Sequence, residues 1–177
     1  KMGCKQKVAA CVLTVLCLLG CSDPKLAAIP ATGTILAFGD SLTVGTGTDS
    51  SQSYPIVLAE LSGRRVIHSG ISGETTAGGL QRLPGALEET QPDLIILLEG
   101  GNDVLRNRPF ASIKNDLAAM IRLANQQGVQ IVLIGVPEKN LFSSSAPFYR
   151  ELADEYEVVF DGALLGSLLR TISYKSD

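Results

Sequence analysis

Cysteine is absent from most of the chain, and this absence limits how the body of the protein can be held together. All four cysteines of the 177 residues lie at or before position 21: Cys4, Cys11, Cys17 and Cys21. A body without thiols has no disulfide framework and must depend on its hydrophobic core. With 45% hydrophobic and 19% charged residues, the composition is that of one globular domain and not of a disordered chain.

An excess of basic residues is also missing. The formal net charge is −3, and residues 1–20 contain three lysines and no acidic residue. The rest of the chain therefore carries a net charge of about −6. Because a nucleic-acid binder needs a basic surface, this acidic body argues against a nucleic-acid partner.

The N-terminal region lacks a hydrophobic run long enough to span a bilayer comfortably. Its apolar run, VAACVLTVLCLL, follows the basic segment KMGCKQK and precedes GCSD, an arrangement typical of a secretory signal peptide over residues 1–20. The LLGC that ends at Cys21 resembles a bacterial lipobox, in which the cysteine is lipidated and becomes the mature N-terminus; a plain signal peptide cleaved nearby is the alternative. We predict an exported cell-envelope lipoprotein that faces the periplasm and is attached to the membrane through Cys21.

Beyond the leader, the pattern predicts a tether and one domain. Residues 21–33 contain small residues and two prolines without periodicity, which is typical of a tether. Within residues 34–177, five predicted strands alternate with helical segments; the strands are TILAFGD, RVIHSG, DLIILLEGG, VQIVLIGVP and EVVFDG. Mainly apolar strands separated by helices predict a three-layer α/β/α domain with a flavodoxin-like, doubly wound parallel sheet of about five strands.

The turns that follow the first four strands are polar and mostly rich in glycine. They read GDSLTVGTG, SGISGETTAGG, EGGNDVLRN and GVPEKN. Because ligands of such sheets bind beyond the carboxyl ends of the strands, these turns are expected to form one site.

Three blocks in these turns resemble the signature blocks of the SGNH (GDSL) hydrolases. They are GDSL at residues 39–42, the glycine of HSGISGETT at Gly70, and GGND at residues 100–103. Their wording and order are most similar to the bacterial branch of arylesterases, lysophospholipases and acyl-CoA thioesterases, and the resemblance runs from about residue 34 to the end.

The resemblance implies a role for each block. Ser41 would attack an acyl carbonyl and form an acyl-enzyme that water hydrolyses. The backbone N–H groups of Ser41 and Gly70 and the side-chain amide of Asn102 would form the oxyanion hole. Asp40 would shape the turn through its carboxylate, and Asp103 would support the site.

Structural roles are the alternative for the same residues. Ser41 could be a helix N-cap, and Asn102 with Asp103 could form a turn and a cap. Glu74, Thr75 and Thr76 are interpreted as a capping arrangement and not as catalytic residues.

Histidine is nearly absent, although a serine nucleophile usually needs one as its base. His68, in the second predicted strand, is interpreted as a structural or supporting residue, since the family's histidine lies near the C-terminus in an Asp-x-x-His block. Asp177 resembles the aspartate of that block, so the histidine is expected three residues further on. The domain is therefore expected to be C-terminally incomplete, and this chain inactive.

Two further functions compete with the hydrolase hypothesis. The loop GDSLTVGTGTDS could cradle a phosphate in a flavin-binding protein, and a lipoprotein of the same fold could bind acyl or glycan ligands without turnover. For the hydrolase, the substrate is a small acyl ester or thioester; no metal and no cofactor is expected, and the sequence does not indicate an oligomeric state.

Overall fold

The computed structural model describes residues 24–139 and 141–170. The predicted signal peptide, the predicted lipidation site Cys21 and the predicted triad aspartate Asp177 lie outside the described residues. The strands are β1 (Thr34–Gly39), β2 (Arg65–Gly70), β3 (Leu94–Leu98), β4 (Gln130–Ile134), β5 (Pro137–Glu138), β6 (Leu141–Ser145) and β7 (Val159–Asp161). The helices are α1 (Ser41–Val44), α2 (Tyr54–Ser62), α3 (Thr76–Thr90), α4 (Gly101–Leu105), α5 (Phe110–Gln126), α6 (Pro147–Tyr156) and α7 (Leu164–Arg170), with a 3₁₀ turn at Ser50–Gln52.

Five strands form one parallel sheet in the order β2-β1-β3-β4-β7. This confirms the predicted flavodoxin-like, doubly wound sheet, with helices covering its faces. The chain passes from β1 outward to β2 and then returns to β3 on the other side of β1, so the order reverses between β1 and β3. Such a reversal opens a crevice at the carboxyl ends of these two strands.

The hydrophobic core lies between the sheet and the helices α3, α5 and α6. Buried side chains spaced three and four residues apart on α3 and α5 pack against β1 and β3; they include Leu83, Leu87, Ile113, Leu117, Met120 and Ile121. This apolar stripe explains why α3 is helical across Pro84, since tertiary packing outweighs the poor helix propensity of proline.

Two local features differ from the sequence-based expectation. The turns GDSLTVGTG and EGGNDVLRN contain the short helices α1 and α4, which are too short to show helical periodicity. The predicted turn GVPEKN contains the short strand β5, which forms an antiparallel pair with β6. The small Ser145 packs between Gly135 and Gly162, where added Cβ atoms would lie 2.4 and 2.6 Å from its side chain.

The described part of the predicted tether, residues 24–33, contains no helix or strand and lies against the domain. The Ala27 N–H donates to Gln130 Oε1 at 2.6 Å, and Arg64 donates to the Ile29 carbonyl at 3.1 Å. Across residues 24–139 and 141–170, the helices fall short of the length and apolarity that crossing a membrane would require.

Candidate active site

The carboxyl ends of β1, β2 and β3 bring the three sequence blocks to one edge of the sheet. Gly39, the last residue of β1, is in register with Gly70 on β2 and with Leu98 on β3. The Ile71 N–H also donates to the Gly39 carbonyl at 3.0 Å. As a result, the turns that carry Ser41, Gly70 and Asn102 begin side by side at the crevice of the sheet.

Ser41 is the first residue of α1 and is half-buried. The N-cap of this helix is Asp40, whose Oδ1 accepts the Leu42 N–H at 2.9 Å. The alternative role of Ser41 as the N-cap is therefore wrong. Within the described residues, no hydrogen bond occupies the Ser41 hydroxyl, so it remains available to a ligand.

Gly70 touches the turn of α1 so closely that a side chain would not fit. A Cβ atom added at Gly70 would lie 2.7 Å from the Val44 backbone nitrogen and 3.0 Å from the Asp40 carbonyl oxygen. Glycine is therefore required for the close approach of β2 to α1. The same contact holds the backbone of residue 70 next to the turn that carries Ser41.

The GGND block turns sharply because Gly100 adopts a left-handed conformation, with φ of 110°. The Tyr149 hydroxyl donates to the Glu99 carbonyl at 2.8 Å, and a Cβ at Gly100 would lie 2.4 Å from that hydroxyl. Asn102 follows the turn, and its Nδ2 donates to the Glu74 carbonyl at 2.9 Å and to Asp40 Oδ2 at 3.4 Å. The side-chain amide of Asn102 is thus held next to Asp40, at the start of the turn that carries Ser41.

Asp40 joins the first and third blocks. Its buried carboxylate accepts backbone N–H groups of Leu42 and Gly101 in addition to the Asn102 amide. Burial raises the pKa of Asp40 and outweighs the two backbone hydrogen bonds, which lower it; the nearby charges of Asp103 and Glu74 raise it further. The carboxylate is therefore a rigid connector between the two turns.

Asp103 points away from the Ser41 turn, toward the start of α3. Its fully buried carboxylate accepts the Thr76 N–H and the Thr76 hydroxyl, both at 2.9 Å, and pairs with Arg108. Thr75, in the predicted capping arrangement of Glu74, Thr75 and Thr76, is the N-cap residue of α3, but its side chain makes no capping bond. Asp103 supplies the capping carboxylate from another turn. Its negative charge also interacts favourably with the positive N-terminal end of the helix dipole.

His68 lies two residues before the end of β2, paired with Ala37, and its side chain is exposed. The candidate site lies beyond Gly70 at the end of the strand, so His68 is not placed at the site. Asp177, the predicted triad acid, is outside the described residues.

Sequence reasoning does not predict the cluster of three charged side chains beneath the site, and it interprets one of them, Glu74, as a capping residue. Glu74 accepts Arg82 Nε and Nη2 at 3.0 and 2.5 Å, and Glu99 is fully buried beside them. The only sequence signal was the glutamate directly before GGND at the end of an apolar strand. Among residues 24–139 and 141–170, no group of three or more histidine, cysteine or acidic side chains is arranged to hold a metal ion.

Comparison with known proteins shows that the chain is similar to hydrolases. The model of the GDSL-like lipase/acylhydrolase family matches residues 37–163. Esterase TesA of Pseudomonas aeruginosa is 39% identical over 111 residues, covering 60% of this chain and 55% of that protein. An arylesterase of Vibrio mimicus is 36% identical over 115 residues, covering 62% and 58% respectively. The chain thus spans a little over half the length of these two curated relatives.

Among solved structures, the SGNH-hydrolase family esterase AlinE4 resembles this chain over most of its length. The TM-score is 0.71 at 32% identity, and the match covers 85% of this chain and 86% of AlinE4. The likeness therefore includes the five-stranded parallel sheet and its flanking helices.

Proposed function

The chain belongs to the GDSL-like lipase/acylhydrolase family, and from that membership we propose that it is a serine hydrolase of acyl esters. Ser41 is the nucleophile, and the N–H groups of Ser41 and Gly70 and the amide of Asn102 stabilise the oxyanion. The observation that carries this proposal is the register of Gly39 with Gly70 and Leu98, which brings the three blocks to one edge.

The geometry at this edge supports differential stabilisation of a tetrahedral intermediate. The Asn102 amide and the turn of Ser41 are both tied to the carboxylate of Asp40, which keeps them close together. The Asn102 N–H that makes the long 3.4 Å contact with Asp40 is the one that would turn to the substrate oxygen, while the other stays on the Glu74 carbonyl. Preorganised donors of this kind usually supply a large part of catalysis, and losing one costs about 10²–10³ in turnover.

The proposed mechanism also needs a general base, which the described residues do not place beside Ser41. We assign the triad acid to Asp177 and the base to a histidine three positions beyond it, as the Asp-x-x-His block implies. Such a base would take the Ser41 proton during attack and return it to the leaving alcohol or thiol.

Apolar side chains beside the three blocks favour a substrate with an acyl or aryl group. Leu42, Ile71 and Leu105 are 44%, 45% and 62% exposed, although they are large and hydrophobic. Leu42 is the last residue of the first block, and Ile71 and Leu105 follow the other two blocks within two residues. Each can pack against an apolar chain. Short aryl or alkyl esters, lysophospholipids and acyl thioesters all fit this description; the predicted anchor at Cys21 and export to the periplasm favour the esters and lysophospholipids.

The experiment is a substrate series with the full-length product of the gene. Hydrolysis is measured for p-nitrophenyl esters of increasing chain length, a lysophospholipid and an acyl thioester, each with the Ser41→Ala variant as control. We expect hydrolysis that depends on Ser41 and on a histidine encoded after Asp177. Tight binding of acyl ligands without turnover would instead support a non-catalytic binding protein.

A further inference from the structure

We propose that Glu99 is a positioning residue for the reaction proposed above. Together with Glu74 and Arg82, it fixes the separation of the two turns that carry the oxyanion donors Gly70 and Asn102. This inference rests on the proposed function for its purpose, but the contacts that carry it are independent of turnover.

Glu99 lies in an apolar space where a charged carboxylate would be unstable. Its side chain projects beneath α3: a Cβ added at Gly79 would lie 3.1 Å from Glu99 Oε1, 3.2 Å from Met120 Cε and 3.3 Å from a Phe38 ring carbon. The residue is 0% exposed, and within the described residues neither carboxyl oxygen accepts a hydrogen bond from a donor group. Burying a carboxylate without such donors is costly, so the neutral acid is favoured.

Arg82 connects the end of β2 to the loop before α3. Its guanidinium binds both carboxylate oxygens of Glu74, donates to Ser69 Oγ at 2.6 Å and to the Ser69 carbonyl at 3.2 Å, and lies over the Phe38 ring at 3.9 Å. Ser69 is the residue immediately before Gly70. A planar fork is needed to make these contacts together, and lysine cannot reproduce it.

Glu74 completes the connection to the third block. Its backbone carbonyl accepts the Asn102 amide at 2.9 Å, and its side chain lies beside the Glu99 carboxyl. A protonated Glu99 can donate a hydrogen bond to Glu74, which would then accept from Arg82 and Glu99 at once. The network therefore runs from Ser69 through Arg82 and Glu74 to Asn102, with Glu99 as its buried support.

The charged groups around Glu99 all act on the same proton. Burial is the largest cause that raises the pKa of Glu99 to about 9; the hydrogen bond with Glu74 and the charges of Asp40 and Glu74 raise it further, and Arg82 lowers it. From α6, the neutral Tyr149 reaches only the Glu99 carbonyl. Above this pKa, two carboxylates would face each other, and Glu74 would be pushed away from its place beside Asn102.

The test follows this proton by NMR in the full chain, without requiring turnover. The side-chain carboxyl carbon of Glu99, the Asn102 amide and the Gly70 N–H are recorded from about pH 6 to about pH 10.5. We expect the Glu99 carbon to titrate near pH 9, and the Asn102 and Gly70 signals to move with the same midpoint. In Glu99→Gln, whose amide can donate to Glu74 but cannot titrate, this common transition is absent. In the control Glu88→Gln, an exposed site on α3, the transition is unchanged.

Three outcomes would overturn the proposal: a Glu99 carboxyl that titrates near the ordinary glutamate pKa, Asn102 and Gly70 signals that ignore the Glu99 transition, or the same transition in Glu99→Gln. The first two are read from the unaltered chain, so they decide the matter even if the variant does not fold. Where hydrolysis is measurable, we expect the rate to fall above about pH 9 and this alkaline loss to disappear in Glu99→Gln. A full-length gene product that hydrolyses no ester but shows the coupled NMR transition would refute the proposed function and leave the network intact.

Discussion

Two buried regions of the molecule are built on opposite principles. The region between the sheet and α3, α5 and α6 is mainly apolar, with Leu83, Leu117 and Ile121 fully buried. The carboxyl edge of β1–β3 buries polar groups instead: Asp40, Thr43, Thr76, Glu99 and Asp103. The apolar core stabilises the fold by burying hydrophobic surface, whereas the polar edge adds desolvation costs to obtain a fixed arrangement of donors.

The comparison teaches that stability and the proposed chemistry are largely separable in this chain. In the core, the buried side chains of α3 and α5 recur every three to four residues along each helix. Side chains at the edge are tied by hydrogen bonds between residues distant in sequence, such as Thr76 with Asp103 and Asn102 with Asp40. Changes in the core should therefore alter unfolding, and changes at the edge should alter turnover.

The largest effect is expected for Ser41→Ala in the full-length gene product. Loss of a triad serine removes the covalent step and has cost about 10⁶ in turnover in a serine protease. The unfolding midpoint should stay the same, because no hydrogen bond within the described residues depends on this hydroxyl. Initial rates on a p-nitrophenyl ester and a thermal melt measure both quantities. Ser51→Ala, at an exposed serine, is the control and should keep full activity.

Asn102→Ala should reduce turnover by about 10²–10³, with a much smaller change in KM. The amide is expected to act mainly in the transition state, where the charge on the substrate oxygen is greatest. Steady-state kinetics over a range of ester concentrations separates kcat from KM. A variant that raises only KM would mean that Asn102 binds the ground state and is not an oxyanion donor.

Leu117→Ala tests the other side of the comparison. Leu117 is 0% exposed on α5, and its truncation should lower the free energy of unfolding by about 2–5 kcal/mol through lost burial and a cavity. Below its melting temperature, the variant should keep its kcat. Urea unfolding provides the measurement, and Leu61→Ala, at a leucine that is 82% exposed, should have little effect.

The most specific effect is a pH-dependent gain in stability for Glu99→Gln. The folded pKa of Glu99 is raised from 4.5 to about 9, so the folded state retains a proton that the unfolded state loses. Glu99 therefore costs no stability below about pH 4.5, and its cost grows as the pH rises toward 9. The melting temperature of the variant relative to the unaltered protein should rise between pH 5 and pH 8, approximately; a constant difference would show that Glu99 is charged in the fold.

The sheet and the blocks of the site could be predicted from the sequence because both depend on local patterns of residues. The apolar runs of β1 and β3 occupy consecutive residues, and the buried side chains of α5 recur every three to four residues. The GDSL and GGND blocks are short and follow these strands directly, so the topology alone brings them together.

What could not be predicted depends on contacts between distant residues. The capping of α3 by Asp103 joins positions 27 residues apart, and no local pattern signals it. The link of Arg82 to Glu74 and Ser69 similarly requires that α3 place Arg82 within reach of the end of β2. The ribbon β5–β6 forms where Ser145 fits between two glycines, although its sequence lacks the alternation typical of a strand.

The central claim, that the polar edge presents Ser41 as a nucleophile, is tested most directly by covalent labelling. The full-length gene product is treated with a fluorophosphonate, and the modified peptide is identified by mass spectrometry. The account predicts one adduct, located at Ser41 and absent from Ser41→Ala. Absence of an adduct from the folded protein, or an adduct at another residue that persists in Ser41→Ala, would contradict it.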